Sequence, residues 1–240
     1  MKLNFSILCY KDHIWSKIVI NNLIKHNLIP LNIIEENSIS GNKKKVFYDN
    51  LISDCNIDLS HLKSVDILAK EYSINYDIVN NHNNDITKEL LCESSPDIIL
   101  LSNTRIIKKD IFEIAKIGTF NCHPDKLPGY RGSVVYLRKI LEDLQLGVTC
   151  HWVNEIVDTG SIVFYHDIEY NINDTLGDLV YKIILTSSNL FIKLLNSDSI
   201  PKEDQLLINS PCFTFPEDSI INQCRKKLDL KKNIIYNING

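Results

Sequence analysis

Strand-length runs of aliphatic and β-branched residues alternate with helix-length segments through about two thirds of this chain. That alternation limits the possible folds more than any single motif does. "NFSILCY" at residues 4–10 leads into a helical pattern beginning at Asp12, "DHIWSKIVINNLIKHN", and then into "IPLNIIEE" at 29–36. The exchange recurs with a helix over 59–72 whose N-cap is Ser60, a strand near "INYDIV", a short helix near "DITKELLCESS", and a buried-looking strand "DIILLS". A helix near "KKDIFEIAK" and a strand "GTFNCH" at 118–123 follow. Repeated βα units of this kind predict an α/β fold with a mostly parallel sheet. Residues 37–58 carry no period, only polar residues with Gly41 and Lys43, Lys44 and Lys45, and read as a solvated surface excursion.

Further on, the pattern predicts a helix over 133–144 and a strand "GVTCHWV" at 147–153. "GSIVFYHDIEY" at 160–170 reads as a strand near a sheet edge with Ile162, Phe164, His166 and Ile168 on one face. Thr175 and Asp178 stand at capping-box spacing ahead of the clearest helix, in which Leu176, Leu179, Val180, Ile183, Ile184, Phe191, Leu194 and Leu195 keep the helical period. That helix should close a domain over 1–198 by packing on the sheet. Residues 199–240 then form a short C-terminal extension with "PCFTFP" and a short charged helix, a possible dimer interface.

The rest of the composition excludes more than it selects. The chain's 240 residues can bury a core without staples, and its seven cysteines are odd in number and scattered, with no C-x-x-C pair. They read as reduced thiols in a cytoplasmic protein with no metal site. The amino terminus lacks a signal-like run, no segment reaches membrane-spanning length, and a net charge of -4 gives no reason to expect nucleic acid or a membrane as partner.

"FNCHPDKLPGYRGS" at 120–133 breaks the texture of the chain by gathering two glycines and two prolines behind an Asn and a His. Alternate strand residues share a face, so Asn121 and His123 should point the same way, with Cys122 opposite. In α/β sheets, ligand sites lie beyond the carboxyl ends of strands, and this motif has that address. If "GVTCHWV" ends at the same sheet edge, Asp158 can reach the His123 imidazole. Asn121 and His123 could equally be capping or buried hydrogen-bonding groups, and Asp158 a turn former ahead of Gly160.

These blocks resemble the signature of the folate-dependent formyltransferases, N-x-H-P-x-x-L-P-x-x-x-G, then G-V-T-x-H, then D-x-G. The similarity covers about residues 95–195. It implies a Rossmann-like formyltransferase domain that takes 10-formyltetrahydrofolate as co-substrate, with Asn121, His123 and Asp158 as the catalytic trio. Amine attack on a formyl carbon builds negative charge on oxygen. An Asn donor can stabilise that charge, His can stabilise it or accept the amine's proton, and Asp would orient the His. The resemblance also places the folate on Leu101, Ser102, Asn103, Thr104, Ile106 and Val157. Tyr130, Arg131 and Gly132 are the expected acceptor contacts, with Trp152 and Tyr165 as further stacking candidates.

Among the acceptors of this family, glycinamide ribonucleotide calls for a Gly-rich turn after the first strand, where this chain reads "LCYKDHIW". Methionyl-tRNA calls for a basic surface and a further domain of about a hundred residues, and only some forty residues follow the closing helix here. Formyltetrahydrofolate hydrolases usually carry an N-terminal regulatory domain. The resemblance is therefore greatest to the bacterial sugar N-formyltransferases, which implies a nucleotide-linked amino sugar as acceptor, a dTDP-4-amino-4,6-dideoxyhexose by analogy. That acceptor belongs to surface polysaccharide and O-antigen synthesis, and the enzyme would be a homodimer. A folate- or nucleotide-binding protein without turnover is the alternative of a different class.

Overall fold

Five strands, β1 (Phe5–Tyr10), β2 (Asn32–Glu36), β3 (Asn75–Val79), β4 (Ile98–Ser102) and β5 (Gly118–His123), pair in parallel in the order β3-β2-β1-β4-β5. β6 (Arg131–Gly132) stands apart, while β7 (Gly147–Trp152) and β8 (Ile162–Asp167) extend the main sheet antiparallel from β5. β9 (Cys212–Phe213) pairs in parallel with β6 as a second, two-stranded sheet. This computed structural model describes residues 3–206 and 210–239. The strand order reverses between β1 and β4, so the loops leaving these two strands diverge and open a crevice at the carboxyl edge.

Strand alternation divides the interior. Phe5, Ile7, Cys9, Ile98, Leu100, Phe120 and Cys122 face the larger core, shared with α1 (Ile14–Lys25), α2 (Ile39–Leu51) and α3 (Val65–Glu71). Leu8, Ile34, Ile99 and Leu101 face the smaller one, against Leu91 of α4 (Asp85–Ser94) and Ile111 and Phe112 of α5 (Lys109–Phe112). The larger core is completed by α6 (Val135–Leu141), α7 (Leu176–Leu195) and α8 (Ser219–Asn239). The expected capping box is formed: Thr175 Oγ1 accepts the Asp178 N–H at 3.0 Å, and Asp178 Oδ2 accepts the Thr175 N–H at 2.9 Å.

Residues 37–58 are not the solvated excursion the sequence suggests, because they contain α2. Ser38 caps this helix by accepting the Gly41 N–H at 3.1 Å, and its buried apolar residues, Phe47, Tyr48 and Leu51, crowd into the last turns, too few to show a period. Asp12 is not a helix start either. It sits at φ 52, and His13 is the N-cap, its Nδ1 accepting the Trp15 N–H at 3.1 Å. Ser64 rather than Ser60 precedes α3, since the Ser60 N–H is tied to Asp58 Oδ1 in a turn at 2.9 Å. β8 is the edge strand expected, but a bulge opposite Cys150 and His151 turns Val163 inward in place of Ile162.

The carboxyl-terminal helix is 21 residues long rather than short, and Ile221, Cys224 and Leu228 on it are buried in the larger core. These apolar residues are covered within the chain itself. Among the described residues no helix is long and apolar enough to cross a membrane, and no group of three His, Cys, Asp or Glu could hold a metal ion.

Buried titratable groups beside the crevice set a pH dependence of stability. Burial pushes the His13 pKa down to about 3 and that of His82 to about 4, both from an ordinary 6.5, while burial lifts the Glu35 carboxyl to about 7. As pH falls from 6.5 toward 4.5, the unfolded chain gains protons at both histidines that the folded chain refuses, which costs stability. Glu35 acts the other way, because the folded form holds its proton throughout that window. The buried His151, its pKa also lowered by burial, adds to the two histidines, so they outweigh Glu35 and acidification across this window costs net stability. Urea midpoints at pH 6.5 and 5.0 should fall accordingly, and a midpoint that rises would contradict this balance.

Candidate active site

The period-2 rule that sends Phe120 and Cys122 into the larger core sends Asn121 and His123 to the other face of β5. β7 repeats the division, with Val148 and Cys150 inward and Thr149 and His151 on the face of Asn121 and His123. The antiparallel register sets Asn121 opposite His151 and His123 opposite Thr149. Four polar side chains therefore occupy one patch of sheet, at the base of a cleft of about 440 Å³ lined by Asn121, His123, His151 and Asp158 among others.

Asp158 reaches this patch by a different route from the one its strand suggests. β7 runs against β5 and ends beside Phe120, so the two strands do not share a carboxyl edge. The loop after Trp152 folds back instead and brings Asp158 Oδ2 to 3.3 Å from His123 Nδ1. Asp158 adopts φ 57, which Asp tolerates better than most residues, and the Gly132 N–H donates to its Oδ2 at 2.8 Å. Gly160 is required two residues on, because a Cβ there would overlap the Trp152 carbonyl. Gln205 Nε2 then ties down the loop through the carbonyls of Asp158 and Gly160, at 3.2 and 2.7 Å.

The Pro/Gly segment behind His123 is organised by two buried side chains that its composition did not single out. Thr149 Oγ1 donates to the Asp125 carbonyl at 2.6 Å and accepts the Leu127 N–H at 3.1 Å. Asp125 Oδ2 accepts the Tyr130 N–H at 3.0 Å, and its other oxygen pairs with Lys139. The turn thus delivers the Tyr130 carbonyl to 2.6 Å from His123 Nε2. Both His123 nitrogens now face oxygen atoms, which fixes the ring from two sides.

His151 is the site residue that sequence reasoning left out, although it stands within the G-V-T-x-H block. Its Nδ1 lies 2.8 Å from the Trp152 carbonyl and must donate to it, which leaves Nε2 as the acceptor for Asn121 Nδ2 at 3.3 Å. Burial lowers its pKa and keeps the ring neutral, despite Asp158 Oδ1 at 3.6 Å. One Asn121 N–H is thereby fixed on His151, and the other remains for the cleft.

Of the residues expected at the folate, Leu101, Asn103, Thr104, Ile106 and Val157 line the cleft. Ser102 does not. It is fully buried, and its carbonyl accepts from Ser16 Oγ at 3.1 Å. Of the acceptor candidates only Gly132 lines the cleft, where its φ of 96 and a Cβ that would strike the Phe213 backbone both demand glycine. Tyr130 turns its hydroxyl to Glu142 at 2.6 Å, and Arg131 spends its guanidinium on the carbonyls of Val157 and Ser210 at 3.3 and 3.0 Å. Trp152 packs on Phe120 at 4.5 Å between ring centroids, and the Tyr165 hydroxyl is taken by Asp167. Trp15, Lys44 and Tyr48 line the cleft unforeseen, because the helix carrying two of them was not expected.

The sequence model of the family Formyl transferase matches residues 28–195. The methionyl-tRNA formyltransferase of Ehrlichia chaffeensis is 30% identical over 135 residues, covering 55% of this chain and 45% of that protein. The chain spans about half the length of the curated relatives it matches. Among solved structures, an N-formyltransferase from Helicobacter canadensis in complex with folinic acid and dTDP-3-aminofucose superposes with a TM-score of 0.60 at 22% identity, over 93% of this chain and 80% of that one. The phosphoribosylglycinamide formyltransferase of Bacillus halodurans gives 0.60 at 19%, over 82% of this chain and 97% of that one. At these identities the two structures share the fold.

Proposed function

Since the chain belongs to the formyl transferase family, we propose that it moves the formyl group of 10-formyltetrahydrofolate to the amine of a nucleotide-linked amino sugar. The observation that carries the chemical half of this proposal is the contact between His123 and Asp158 at 3.3 Å beside the Asn121 amide, at the base of one cleft. Leu101, Asn103, Thr104, Ile106 and Val157 form the wall on which the folate would lie.

Each group then has a role that its hydrogen bonds suit. The free N–H of Asn121 donates to the formyl oxygen as negative charge develops there, without charge of its own to desolvate. His123, with oxygen atoms at both nitrogens, presents neither nitrogen to the attacking amine as a base and acts by its position beside that oxygen, while the proton the amine loses is balanced by the one the folate N10 gains as it leaves. Asp158 holds the ring from its Nδ1 side.

For the acceptor, the Helicobacter canadensis neighbour supplies the analogy, and the net charge of -4 makes a polyanionic acceptor a poorer electrostatic match. Charged methionyl-tRNA is the second reading, favoured by the name of the Ehrlichia relative. A direct test supplies 10-formyltetrahydrofolate with a panel of nucleotide-linked amino sugars, glycinamide ribonucleotide and charged initiator tRNA, and follows tetrahydrofolate release and product mass. The expected result is one added formyl group on an amino sugar. Formylation confined to tRNA or to the ribonucleotide would refute the sugar acceptor, and folate binding without any turnover would refute the enzyme.

A further inference from the structure

Among the described residues, four formally charged side chains line the cleft, and three of them have an ionisable partner. Arg105 Nε lies 2.8 Å from Glu36, Glu155 lies 2.5 Å from Lys109, and Asp158 faces His123. Lys44 differs: among the described residues it forms no ion pair, and its Nζ donates only to the Thr104 carbonyl at 3.2 Å, 4.9 Å above the Tyr10 ring. Glu36, the acid whose field it feels, is already consumed. Its Oε1 accepts from Ser38 Oγ and Arg105 Nη2, and its Oε2 from the His82 N–H, beside Arg105 Nε. An ammonium has three donors, so two of those on Lys44 remain for an occupant of the cleft.

The surroundings of Lys44 say what kind of occupant. Tyr48 follows one turn later on α2, Trp15 stands edge-on to it at 5.8 Å, and Phe215 packs against Phe47 at 4.7 Å beneath the same wall. Among the described residues, this wall of α1, α2 and residues 213–215 is aromatic with a single cation, and it meets the folate wall of residues 101–107 where Lys44 bonds the Thr104 carbonyl. Burial lowers the pKa of Lys44, so an unpaired charge is costly there and an anion beside it would offset that cost.

We infer that Lys44 binds a substrate oxyanion, and that this oxyanion is the phosphate of a nucleoside diphosphate held at the aromatic wall rather than a carboxylate of the folate. The inference rests on the nucleotide-linked acceptor proposed above. Calorimetric titration of the full chain with thymidine 5′-diphosphate, inorganic pyrophosphate and folinic acid tests it without turnover. Lys44→Met should weaken both diphosphates about 10-fold or more, and Lys44→Arg, which keeps the charge, by no more than about 3-fold. Folinic acid should bind all three proteins alike.

No diphosphate binding by the wild type, equal binding by Lys44→Met, a loss confined to folinic acid, or an equal loss in Lys44→Arg would each overturn the assignment. Failure of the acceptor proposal looks different: the chain would bind diphosphate through Lys44 yet formylate none of the amino sugars.

Discussion

Replacing His123 with Asn is expected to lower kcat about 10³-fold while folinic acid binds within about two-fold of wild type. The imidazole has an oxygen atom facing each of its nitrogens. It is suspended between the Tyr130 carbonyl at 2.6 Å and Asp158 at 3.3 Å, with its residue only 1% exposed. Asn fills part of the volume and can still donate to one oxygen, but it cannot carry a positive charge beside the developing oxyanion. Loss of a buried hydrogen bond should cost stability by about 1–2 kcal/mol, so circular dichroism and thermal midpoints should show a folded protein. A kcat within ten-fold of wild type on the identified acceptor would remove His123 from the chemistry.

Asp158→Asn should cost about 10²- to 10³-fold in kcat by a different route, because it removes charge and keeps shape. The amide oxygen can still accept the Gly132 N–H, now held at 2.8 Å by Oδ2, so the loop closed by Gly160 and Gln205 should stay in place. What disappears is the negative charge 3.3 Å from the His123 ring. If His123 and Asp158 work as a unit, the double variant should lose little more than His123→Asn alone. Multiplicative losses in that cycle would show that the two act independently and that their contact is only structural.

Much of the fold could be read in the chain because it is encoded locally. β1, β2 and β4 announce themselves as aliphatic runs, β5 by the alternation of Phe120 and Cys122 with Asn121 and His123, and Thr175 with Asp178 marks the start of α7. α2 could not be read, since its first turns are polar and its buried apolar residues fall together near one end. The same missing helix hid Lys44 and Tyr48 from the list of cleft residues. Tyr130 and Arg131 turn their side chains away from the cleft for the opposite reason. They stand in the motif, yet the partners that claim their side chains, Glu142, Val157 and Ser210, are distant in sequence.

The sequence by itself determined that Asn121 and His123 share a face at a strand end, because a period of two leaves an extended chain no other choice. It also determined that Asp158 precedes a turn that needs Gly160. Only the tertiary structure decided that these groups meet. Strand β7 had to run antiparallel to β5, setting His151 against Asn121, and the loop after Trp152 had to fold back to lay Asp158 under His123. Strand direction and loop path are fixed by what the whole sheet buries, so they are properties of long-range packing that no local run of residues states.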